Sequence, residues 1–114
     1  MSIPYNDIQA LEAVIKEHGD TIAGLLVEPI QGEAGVNVPS EGYIPNIASL
    51  CKENNILFIA DEIQTGLART GSMLAICGDC TCTQKCERQS TYVKPDILIP
   101  VSYTHLTLPT TPYV

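Results

Sequence analysis

Apolar residues recur along the first sixty positions with two different periods, and their alternation predicts the layout of the chain. From Asn6 to His18, the residues Ile8, Leu11, Ala13, Val14 and Ile15 fall on one helical face, with Glu12, Lys16 and Glu17 on the other. Asn6 reads as the N-cap, Gln9 as its box partner and Gly19 as a left-handed C-terminal residue. The run Ile22 to Val27 is almost unbroken apolar sequence stopped by Glu28-Pro29, which predicts a strand buried on both faces. From Ile30 to Gly42 the periodicity disappears and glycines and Pro39 accumulate, the pattern of a long surface loop. Ile44, Ile47, Ala48, Leu50 and Cys51 then return to helical spacing through Glu53, with Pro45 in the first turn and Asn54-Asn55 as the stop. Cys51 on that apolar face reads as a small core residue. A second apolar run, Ile56 to Ala60, is closed by Asp61-Glu62. Strand, helix, strand in this order predicts a right-handed parallel crossover, which puts both acidic strand ends on one edge of a sheet.

Beyond Gly71 the pattern weakens. Asp96 to Ile99 is the only later stretch that reads as a strand, so the expected class is α/β, a partial sandwich of parallel strands and helices. Residues 76–90 form a cysteine-rich insertion, and Cys77, Cys80, Cys82 and Cys86 are spaced C-x2-C-x-C-x3-C. Four thiolates suit tetrahedral zinc, but all four sit in one short loop without two separated knuckles, and a reduced surface insertion is the reading preferred. Residues 100–114 carry Pro100, Pro109 and Pro112 among threonines, with no buried face, and read as a separate extended or disordered tail.

Composition removes several functions. Among the 114 residues, 13 acids face only 6 lysines and arginines, a net charge of −7, so the electrostatic attraction that nucleic-acid binding depends on is lacking. No apolar run approaches the ~20 residues needed to cross a bilayer. Pro4, Asn6 and Asp7 stand where a secretory signal needs basic and then apolar residues, so the expected setting is cytoplasmic, with reduced thiols and no disulfide framework.

In open parallel sheets, ligands bind beyond the carboxyl ends of strands. Glu28, Glu33, Asp61, Glu62 and Gln64 gather near that edge in this layout, and they read either as solvated loop residues or as a ligand wall. A carboxylate fixed at a strand end can ligate a metal, act as a base, or hold a protonated heterocyclic nitrogen by a charge-assisted hydrogen bond. The metal option lacks a histidine here, since His18 ends a helix and His105 lies in the tail.

The strings Val27-Glu-Pro-Ile-Gln-Gly-Glu-Ala-Gly-Val36 and Ile59-Ala-Asp-Glu-Ile-Gln-Thr-Gly-Leu-Ala-Arg-Thr-Gly71 closely resemble the class III pyridoxal-phosphate-dependent aminotransferases, in particular their ornithine group. Ile3-Pro-Tyr-Asn-Asp7 and Lys94-Pro-Asp-Ile97 resemble the same family, so the likeness spans residues 3–99. The resemblance implies part of the large domain of a fold-type I enzyme, pyridoxal 5'-phosphate as cofactor, an amino acid and a 2-oxo acid as substrates, and a homodimer in the full-length family. By the same resemblance Asp61 matches the aspartate that keeps the pyridine nitrogen protonated, and Gln64 the glutamine at the phenolic oxygen. Glu33 matches a glutamate that pairs with a substrate-binding arginine, and Glu28 an acid at the wall of the site. For Glu62 and Arg69 a salt link or helix-end contact is the preferred explanation.

The sequence also departs from the family. Members carry the Schiff-base lysine in a Gly-Lys-Ala segment shortly after the strand that begins at Lys94-Pro-Asp96, whereas here Pro100-Val-Ser-Tyr-Thr-His105 follows and no lysine comes after Lys94. Lys94 lies upstream of the strand and matches a different position. The expectation is an internal portion of a longer enzyme, inactive alone, with residues 100–114 foreign to the family. Another class III enzyme of the acetylornithine or 4-aminobutyrate type is the alternative, and a non-enzymatic cysteine-rich metal module is a second.

Overall fold

The structure is a computed structural model that describes residues 1–77 and 93–101, apart from the Cys77 side chain. Its elements are α1 (Ile8–His18), β1 (Gly24–Val27), α2 (Tyr43–Glu53), β2 (Leu57–Asp61) and β3 (Ile97–Ile99), with short 3-10 turns at Gly19–Thr21 and Ala75–Cys77. The strands form one sheet in the order β1-β2-β3. Both pairings are parallel, with Val27 beside Ala60 and Asp61 beside Ile99. The expected α/β arrangement is therefore present, and the acidic ends of β1 and β2 share an edge.

Alternation along the strands sends Val27, Phe58 and Ala60 to one face, where they join Leu11 of α1 and Tyr43, Ile44, Ile47 and Cys51 of α2 in a single core. Ile47 and Cys51 are 1% exposed and Ala60 is fully enclosed. Burying an aliphatic side chain of this size contributes roughly 1.5–3 kcal/mol, which is what fixes α2 against β2. The Cys51 thiol sits where it was expected, in the core, and burial pushes its pKa up to about 11, with Asp96 adding to the shift.

Three local expectations need correction. The first strand is not buried on both faces: Leu26 is 57% exposed, because among the described residues both helices cover only the other side. Asp7, not Asn6, caps α1, its carboxylate accepting from the Ala10 N–H at 3.0 Å. Asn6 instead adopts φ 62° and exchanges two hydrogen bonds with Ser40, which ties the N-terminal strap to the loop after β1. Gly19 is right-handed at φ −50° because the chain continues into a 3-10 turn, where Ile22 N–H reaches Gly19 O at 3.3 Å. At the end of α2 the asparagine stop holds: Asn54 Nδ2 donates to Leu50 O at 2.8 Å and Asn55 turns left-handed at φ 55°.

No described helix is long and apolar enough to cross a membrane. Cys80, Cys82, Cys86 and residues 102–114 lie outside the described residues, and with them the zinc and tail expectations.

Candidate functional site

The carboxyl edge of the sheet is built by two strand ends and the loop between them. Proline cannot donate to a ladder, so β1 stops before Pro29, and the chain turns out over the edge. Two contacts fix that turn. The Tyr5 hydroxyl donates to Glu28 O at 3.0 Å and to Pro29 O at 3.1 Å, while its ring packs edge-on against Tyr43 with centroids 5.4 Å apart. Burial, reinforced by Tyr43 and Glu28, pushes the Tyr5 pKa up to about 12, so the hydroxyl remains a donor.

The Glu28 carboxylate reaches forward and accepts the Gly32 N–H at 3.1 Å. The loop then closes on itself through reciprocal backbone bonds between Gln31 and Asn37, at 3.0 and 3.2 Å. Gly32 has no side chain, and Gln64 uses the space: a Cβ on Gly32 would lie 2.1 Å from Gln64 Oε1. Glu28, Gly32 and Gln64 are thereby brought together across two loops. Asp61, half-buried at the end of β2, lines a groove of about 460 Å³ with Tyr5, Glu28, Gln31 and Tyr43. The hydrogen bond to its carboxylate among the described residues comes from Ile63 N–H to Oδ1, at 3.1 Å. Glu33 is different. It occupies an exposed turn closed by Gly35 N–H on Gly32 O at 3.2 Å, and no side-chain partner meets it among the described residues.

Glu62 is the residue whose importance spacing did not reveal. It is completely enclosed. Its Oε1 accepts from Thr65 Oγ1 at 3.2 Å and from Ala75 N–H, the first residue of the second 3-10 turn. The preferred helix-end contact is thus what it makes, and no salt link to it exists among the described residues. Burial raises its pKa, partly offset by the hydrogen bonds from Ala75, Thr65 and Ile76. The signal available in the sequence was only its adjacency to Asp61, since nothing in the pattern separates a buried acid from a solvated one.

Lys52, Lys94 and Asp96 border a different cavity with Asn55 and Phe58, at the amino end of β2 and β3. Lys94 is therefore at the opposite edge from Asp61, as its place upstream of the strand implied.

A model of the family described as Aminotransferase class-III matches residues 2–98. The mitochondrial ornithine aminotransferase of Oryza sativa subsp. japonica is 46% identical over 99 residues, covering 87% of this chain and 18% of its own length. The solved ornithine delta-aminotransferase of Plasmodium falciparum superposes with a TM-score of 0.69 at 44% identity, over 86% of this chain and 22% of that one. The acetylornithine aminotransferase of Elizabethkingia anophelis gives the same TM-score, 0.69, at 52% identity, over 84% of this chain and 22% of that one. The chain thus spans about a fifth of the length of these relatives.

Proposed function

Since the chain belongs to the class-III aminotransferase family, we propose that its acidic sheet edge is the ring-binding wall of a pyridoxal-phosphate site in an ornithine aminotransferase. The observation that carries this reading is the gathering of Glu28, Gly32 and Gln64 beside the groove that Asp61 lines. The donor set suits a hydroxylated pyridine. A carboxylate at Asp61 fits the basic ring nitrogen and a primary amide at Gln64 fits the phenolic oxygen.

When bound, the cofactor supplies an electron sink for the charge left on a substrate carbon that loses its proton. The residues of this chain serve that chemistry by position. Asp61 accepts the ring N–H, and its negative charge keeps that proton on the nitrogen. Ile63 N–H fixes one carboxylate oxygen and so aims the other. Glu28 holds the Gly32 backbone, and the bare Gly32 leaves room for the Gln64 amide. Glu33, on its exposed turn, is the group assigned to a substrate-binding arginine, an exchange that lets one site take a basic and then a dicarboxylic substrate.

On this reading the complete enzyme moves the δ-amino group of ornithine to a 2-oxo acid, giving glutamate semialdehyde and an amino acid, and works as a homodimer. The string Gly32-Glu-Ala-Gly35 supports the ornithine donor. An acetylornithine donor is the second reading, favoured by the likeness to the solved acetylornithine enzyme. On this reading the chain by itself is inactive, because Pro100-Val-Ser-Tyr-Thr-His105 stands where the family carries its Schiff-base lysine.

The test is a titration of the full chain with pyridoxine 5'-phosphate, which lacks the aldehyde and so forms no imines with surface lysines. Amide NMR shifts should map to residues 28–32 and 61–64. Shifts confined to other surfaces would refute the reading.

A further inference from the structure

We propose that Glu62 is a positioning residue for the ring-binding edge, its buried carboxyl pinning the Asp61–Gln64 turn to the Ala75 backbone so that Asp61 and Gln64 meet the ring as one unit. The proposal rests on the reading of that edge given above. It is carried by the way four contacts radiate from one residue. The Glu62 N–H extends the β2–β3 ladder by donating to Ile99 O at 2.9 Å, and its carbonyl accepts from Gly66 N–H at 2.7 Å. Its Oε1 takes the Thr65 hydroxyl at 3.2 Å and the N–H of Ala75, thirteen residues along the chain. The turn that holds Asp61 and Gln64 is thus fastened to β3 on one side and to the segment at Ala75 on the other.

The turn also has no slack. A Cβ on Gly66 would lie 2.8 Å from Glu62 O and 3.1 Å from Pro100 O, so the backbone is already in contact on both sides. Glu62 Oε2 is the exception, buried with no hydrogen-bond partner among the described residues. A bare anionic oxygen is costly in such surroundings, and burial accordingly raises the pKa of this acid.

The experiment measures pyridoxine 5'-phosphate binding to the full chain by amide NMR in wild type, Glu62→Ala, Glu62→Gln and Thr65→Val. Losing a buried hydrogen-bonded group should weaken binding about tenfold in Glu62→Ala. In the same variant the Asp61, Gln64 and Ala75 signals should broaden, while those of α1 and α2 stay sharp. Glu62→Gln keeps the acceptor oxygen and should restore affinity, a rescue that bulk stability does not predict. Should Glu62→Ala not fold, Thr65→Val decides, since it removes one contact and should weaken binding about threefold. Wild-type binding at residues 61–64 with undiminished affinity in Glu62→Ala, or in Thr65→Val where that variant decides, overturns the role of Glu62 and leaves the site intact. No wild-type shifts at those residues overturns the site and this proposal together.

Discussion

The side-chain amide of Gln64 occupies the volume that a β-carbon on Gly32 would need, with Oε1 only 2.1 Å from that position. Two loops that are far apart in sequence meet at this point, and each depends on the other's residue type. Gly32→Ala pushes on the far end of an exposed, flexible side chain, so stability should change by less than about 1 kcal/mol while Gln64 is displaced. Gly66→Ala pushes on the backbone oxygens of Glu62 and Pro100 instead and should cost about 1–3 kcal/mol. Thermal melts of the two variants, with the Gln64 side-chain amide signals followed by NMR, check the contrast.

Tyr5→Phe keeps the ring against Tyr43 and removes the hydroxyl that serves both Glu28 O and Pro29 O. The expected loss is roughly 1–2 kcal/mol. Urea unfolding should show a lower midpoint with an unchanged slope, because the surface exposed on unfolding is the same.

Glu62 gives stability a distinctive pH dependence. Its folded pKa lies above the ordinary 4.5 because of burial, so below pH 4.5 the acid is protonated in both states and its contribution is fully present. As pH rises, the unfolded chain ionises first, and stability falls until the folded pKa is passed. Glu62→Gln cannot ionise, so its stability relative to wild type should climb steadily above pH 4.5. Denaturation curves across that range measure the trend, and a constant difference would contradict it.

Cys51 should be nearly inert in the folded chain. With its pKa pushed from 9.0 to about 11, the reactive thiolate is about a hundredfold scarcer than for a free thiol. Timed alkylation read by mass spectrometry should label Cys51 last, and unfolding in urea should remove the protection.

The sequence made the layout legible because the apolar periods of α1, α2 and the strands belong to elements that bury one continuous face. Local choices at the caps were harder to read. Asn6 and Asp7 are both good capping residues, and the decision between them came from Ser40, a residue distant in sequence. The exposed face of Leu26 was misread because an unbroken apolar run carries no information about which side a neighbouring layer covers. At the edge, family-like strings singled out Asp61, Gln64 and Glu28; Glu28 and Gln64 meet at Gly32, and Glu28 and Asp61 line one groove. The enclosure of Glu62, read from the sequence only as a salt-link or helix-end residue, was not legible because its carboxylate meets Ala75, thirteen residues on, whose approach no local pattern announces.

On the proposed function, Asp61 holds a proton on a pyridine nitrogen. The ring-nitrogen chemical shift of ¹⁵N-labelled pyridoxine 5'-phosphate, bound to the wild-type chain and to Asp61→Asn, reports that proton. The nitrogen should be protonated with wild type, at a pH where the free ligand is unprotonated, and unprotonated with Asp61→Asn. The same nitrogen shift in both chains would contradict it.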